Sequence, residues 1–161
     1  MTPEPDDGRL CGMALVRMDN VGIVVADLDA AVVFFTELGM ELEGRMTVEG
    51  PWVDGTVGID GTRSEIAMLR MPDGRGRIEL ATYHRPGAVT PDPHPFPPNT
   101  LGFHRVMFAV DDLDDTVARL TTLGGEVVRD VVDYEGVYRL CYFRGPEGIV
   151  VGLAQELRPA G

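Results

Sequence analysis

One local pattern occurs twice in this chain, and it limits what the chain can fold into. Residues 18–44 read "MDNVGIVVADLDAAVVFFTELGMELEG", and residues 103–128 read "FHRVMFAVDDLDDTVARLTTLGGEVV". An offset of 85 carries Val25 onto Val110, Asp27 onto Asp112, Leu28 onto Leu113, Asp29 onto Asp114, Leu38 onto Leu123 and Gly39 onto Gly124. Each copy is an apolar strand, an acidic corner, a helix and a glycine stop. The aspartates suit helix starts because a carboxylate there accepts orphan N–H groups. The glycines suit helix ends because the left-handed cap conformation costs them little. A match in strand, cap, apolar helix position and stop marks an internal repeat. It predicts two βαβββ modules of the α+β class. In each, a helix covers one face of a curved mixed sheet, and the other face is free to line a shared cleft.

The rest of the chain fills in this plan. Residues 1–14 form a polar tail, and 15–84 make the first module. Its first strand runs from about Leu15 to Val25, and its helix carries Val32, Val33, Phe34, Phe35 and Leu38 as a broad apolar face. "MELEGRMTV", "RSEIAMLRM" and "RGRIELATY" read as strands, with Trp52 in a loop or strand start and "PDG" as a turn. Residues 85–102 form a linker. Prolines at 86, 91, 93, 95, 97 and 98 remove donors and restrict their neighbours, against either helix or central strand. His84 and His94 fall at or in this linker and read as loop histidines. Residues 103–157 form the second module, with "EVVRDVV", "YRLCYF" and "IVVGLAQEL" as strands.

Composition excludes several function classes. The formal net charge is -12, and every one of the 14 basic residues is arginine. Such a surface repels a phosphate backbone, so nucleic acid is not an expected partner. No stretch has the length needed to span a bilayer, and "MTPEPDDG" is not a signal peptide, so a cytoplasmic location and no membrane partner are expected. Nucleophile-elbow, Walker and dinucleotide motifs do not occur. The two cysteines, Cys11 and Cys141, read as ordinary thiols.

The segments "NVGIVVADLDAAVVFFTELG", "PDGRGRIEL", "VMFAVDDLDDTVARLTTLG" and "RGPEGIVVGL" resemble the vicinal oxygen chelate superfamily. That group includes glyoxalase I, extradiol dioxygenases, methylmalonyl-CoA epimerase and the bleomycin- and fosfomycin-resistance proteins. The resemblance covers about residues 15–157. It implies a cleft in which enzymes of the type hold a divalent metal on the first and last strands of each module. By that pattern the four ligand positions fall on Asn20, Glu79, Arg105 and Gly152, and only Glu79 keeps a usual ligand.

Strand alternation bears on the third position, because His104 stands beside Arg105. His104 is in phase with Val106 and Phe108, which should lie under the helix, so it should point away from the cleft. Arg105 is in phase with Met107 and Ala109 and should point into it; a one-residue bulge would swap the two and bring His104 into a partial metal site with Asn20 and Glu79. Asparagine is a weak ligand, arginine is none, and glycine has no side chain, so no metal and no other cofactor is expected. Arg105 could replace the metal's charge by pairing with Glu79 or by reading an anionic oxygen; a purely structural ion pair is the alternative. Arg77, Met107, Tyr138, Arg139 and Gly152 are further candidates for ligand contacts, with Tyr83, Met68 and Phe143 as wall residues.

The leading expectation is a protein that binds a small organic molecule between the modules without a metal, with Glu79 and Arg105 as the candidate catalytic pair if a reaction follows. A metal-dependent lyase, isomerase or dioxygenase is one alternative, and a non-catalytic structural or partner-binding domain is another. A homodimer is expected from the resemblance. Ligand charge stays open: the net charge favours a cation, Arg105 an oxyanion.

Overall fold

The computed structural model describes residues 17–103 and 105–157. The expected orientation of His104 lies outside the described residues, as do residues 15 and 16 of the expected first strand; residues 17–20 are not strand, and the first strand begins at Val21. The first module runs β1 (Val21–Val24), α1 (Leu28–Leu38), β2 (Glu41–Glu49), α2 (Pro51–Val57), β3 (Arg63–Arg70) and β4 (Arg77–Arg85). The second runs β5 (Arg105–Ala109), α3 (Leu113–Thr121), β6 (Glu126–Val127), β7 (Val132–Tyr134), β8 (Tyr138–Arg144), a 3-10 turn (Pro146–Gly148) and β9 (Val150–Glu156).

The repeat extends to individual hydrogen bonds. Asp27 caps α1 by accepting from the Ala30 amide, and Asp112 caps α3 by accepting from Asp115, each at 2.9 Å. Val25 N–H donates to the Ala81 carbonyl and Val110 N–H to that of Ala154, again at 2.9 Å. Gly22 lies beside Glu79 in the parallel β1–β4 pair, as Met107 lies beside Gly152 in β5–β9. Gly39 ends α1 at φ 117°, and Gly124 follows α3 at φ 90°, a region that favours glycine.

The strands form two mixed sheets, ordered β1-β4-β3-β2 and β5-β9-β8-β6, with β7 also pairing with β8. Alternation sends Ala67, Leu69, Ile78 and Leu80 under α1, and Cys141, Phe143, Val151 and Leu153 under α3, all in one buried cluster. The modules meet on this helical side, where α1 contacts α3 and the 3-10 turn. Phe34 stacks on Phe143 with ring centroids 6.2 Å apart. Arg119 of α3 pairs with Glu37 of α1 at 2.9 Å, and Glu147 accepts the Ala26 amide at 2.9 Å.

Three features depart from the sequence reading. Trp52 lies in α2, a short helix that Pro51 opens, since proline's missing donor costs nothing in a first turn. "EVVRDVV" is not one strand: Arg129 and Asp130 pair with each other at 3.6 Å between β6 and β7. Phe143, expected in a cleft wall, is fully buried against Phe34.

Candidate functional site

The sheet faces turned away from the helices carry most of the candidate residues. On the first sheet, Gly22, Glu79, Met68 and Gly44 form one row across β1, β4, β3 and β2. Ala81, Ile66 and Met46 make the next row. Glu79 is half-buried, and among the described residues its carboxylate has no hydrogen-bond or ion-pair partner. It is thus a lone acid on an apolar, methionine-bearing floor. α2 closes one end of this face, where Val53, Val48 and Ser64 are buried and Trp52 stays exposed. Arg77 shares the face, but its guanidinium is held by Glu43 at 2.9 Å. Asn20 is exposed and donates to Asp19 at 3.3 Å, while Arg17 holds the Asp19 carboxyl below its ordinary range.

On the second sheet the equivalent face carries Arg105, Met107, Gly152 and Tyr142. Arg105 lies over the Tyr142 ring, its guanidinium carbon 4.9 Å from the centroid. This cation–π placement orients the charge beside Met107, which is 46% exposed. Gly152 leaves room for Met107: a Cβ there would stand 3.0 Å from Met107 Cγ. No ion pair joins Glu79 to Arg105 within the chain, and no strand of one sheet contacts a strand of the other beyond a marginal approach.

Two candidates fall elsewhere. Arg139 is on the helix-covered face of β8, bound to Asp114 of α3 at 2.8 and 2.9 Å. The odd positions of β8 face the core side, so Arg139 points there with Cys141 and Phe143. Tyr138 has the open-face parity, but it pairs with Glu156 at the far end of β8 from the row of Arg105, Val150 and Arg144. Six residues of strand put the two rows roughly 20 Å apart. Tyr142 was the residue to find, and the alternation of "YRLCYF" was the signal for it.

Among the described residues no group of three or more His, Cys, Asp or Glu side chains is placed to hold a metal ion. No helix among them is long and apolar enough to cross a membrane.

Residues 17–153 match the model of the Glyoxalase/Bleomycin resistance protein/Dioxygenase superfamily. The chain belongs to this superfamily. A solved glyoxalase family protein from Bacillus cereus is 50% identical, with TM-score 0.87, over 92% of this chain and 99% of that one. The antibiotic-binding protein TnmS3 of Streptomyces sp. CB03234 shares the fold, with TM-score 0.55 and 21% identity over 89% of this chain and 98% of that one. CFP32 of Mycobacterium tuberculosis, named a candidate glyoxylase, is 27% identical over 96% of this chain. This superfamily member spans only 58% of the length of that relative.

Proposed function

We propose that this protein binds a small organic molecule on the open faces of its sheets, without a metal, and that Glu79 and Arg105 supply the polar contacts. The observation that carries the reading is the donor set. Of the four positions where the superfamily pattern puts ligands, only Glu79 offers a carboxylate, and Arg105 brings a fixed positive charge instead. One carboxylate is too few donors for a divalent cation, and a guanidinium adds none. The same two groups suit a molecule with one hydrogen-bond donor and one anionic or carbonyl oxygen. The apolar floor of Met46, Met68, Ile66 and Met107 supplies adaptable contact area for its body.

The open faces also bear on assembly. Within a chain the modules join through their helices, and β1 and β5 remain sheet edges. Exposed Val24, Met46 and Met107 lie on those faces. A homodimer in which the first sheet of one chain meets the second sheet of its partner would enclose a cleft and bring Glu79 toward the partner chain's charge. The fold serves antibiotic binding in TnmS3, and sequestration is the simplest function of a closed, metal-free cleft here. Affinity selection from a library of natural products and metabolites tests the reading. Selected compounds should lose at least about tenfold in affinity on Glu79→Gln or Arg105→Ala. Compounds that bind both variants as they bind the wild type would contradict it.

A further inference from the structure

A cavity of about 380 Å³ lies under the proline-rich strap, between β1 and the turn that precedes β9, next to the open faces, with which it shares Gly22, Val24 and Val150. Its walls are mainly apolar, with Val24, Val89, Phe96, Phe103 and Val150 among them. That volume falls in the range of sites for small organic ligands. The strap is held in place from the second module. Arg144 donates to the Phe96 carbonyl at 3.1 Å and the Gly148 carbonyl at 3.0 Å. Gly148 also packs so closely on Pro95 that a Cβ would stand 2.6 Å from it.

The polar lining centres on Glu147. Glu147 sits at φ 58°, an uncommon conformation for a non-glycine residue, and this carries its carboxylate across the seam to the Ala26 amide. Only Oε1 makes that bond; among the described residues Oε2 has no protein partner. The strand beside it adds more groups. Val25 N–H is spent on β4, whereas the Ala26 N–H points to the free edge. The backbone groups of Gly22 and Val24 share the Ala26 side, since successive residues of an edge strand alternate. Both residues line the cavity. The imidazole of His94 is the other titratable group in the lining.

We propose that this cavity is a second binding site, for a small apolar molecule bearing a protonated amine, with Glu147 Oε2 and the free carbonyls of β1 receiving the ammonium group. A charge-assisted bond to a carboxylate beside carbonyl acceptors is what such a head group requires, and Glu147 disfavours a carboxylate ligand although the same edge also presents the Gly22 and Val24 N–H groups. The net charge of -12 favours the approach of a cation.

Equilibrium dialysis with 2-naphthylmethylamine and its anionic counterpart 2-naphthoate tests this. The amine should bind at least about tenfold more tightly than the carboxylate. Glu147→Gln should weaken the amine by a similar factor with an unchanged melting temperature, because glutamine keeps an oxygen for the Ala26 amide. Ala88→Trp, in the strap and off the open faces, should fill the cavity and abolish binding; Ala88 is exposed, so the fold should tolerate the change. Equal binding of the two probes, wild-type amine affinity in either variant, or no amine binding because a second copy of the chain fills the cavity would each overturn the proposal.

Discussion

Arg105 rests over the Tyr142 ring and fixes a positive charge on the open face of the second sheet. Arg105 and Met107 fall on the open face that alternation assigns them, because the repeat supplies a second copy, Asn20 and Gly22, against which phase is read. Arg139 and Phe143 lie on the opposite face, because the odd positions of "YRLCYF" face α3. Packing at Gly125 is invisible to any local pattern: a Cβ there would lie 2.2 Å from Phe143 Cε1 and 2.7 Å from the Arg144 carbonyl oxygen. Gly125→Ala should therefore destabilise the protein by about 1–3 kcal/mol, or more if the backbone cannot shift. Denaturant titration measures this, and a change below about 0.5 kcal/mol would show that β8 yields easily. Cys141 is 2% exposed, and burial raises its thiol pKa, which disfavours the reactive thiolate. In a Cys11→Ser background, a thiol reagent should label Cys141 only on unfolding; rapid labelling of the native protein would contradict its burial.

At the scale of elements, the caps and stops were legible because they are written in short-range chemistry. Loss of either cap, in Asp27→Ala or Asp112→Ala, should cost about 1 kcal/mol. A cost confined to one of them would break the equivalence of the modules. The junction was not legible, since it depends on which helices meet. Phe34 stacks on Phe143 and also touches Gly145, where a Cβ would stand 2.8 Å from its ring. Phe34→Ala should cost about 3–5 kcal/mol and loosen both modules together. Between α3 and β8, Arg139 lowers the Asp114 pKa, chiefly through its hydrogen bonds. A carboxyl whose folded pKa lies below its unfolded one contributes stability above the unfolded value, and that contribution is lost as pH falls through the folded one. Melts from neutral to acid pH should show a shallower decline in Arg139→Ala than in the wild type. Parallel curves would mean that the exposed pair contributes nothing.

For the whole molecule, the duplicated α+β plan was the most legible feature, and the separation of its sheets the least. A repeat fixes what each half is, but the face by which two halves pair depends on contacts far apart in sequence. Helix-to-helix packing leaves two open sheets in one chain, which favours completion of the cleft by a second copy. Light scattering should give twice the 17.5 kDa chain mass; a monomer at working concentrations would exclude that assembly. The central claim, ligand binding without a metal, is tested most directly on untagged protein purified without chelators. Its metal content is measured, and the affinity of a selected ligand is then compared before and after exhaustive chelation. The account predicts far less than one metal per chain and an affinity that chelation leaves unchanged. About one bound divalent metal per chain, with ligand binding lost on its removal and restored on its return, would contradict it.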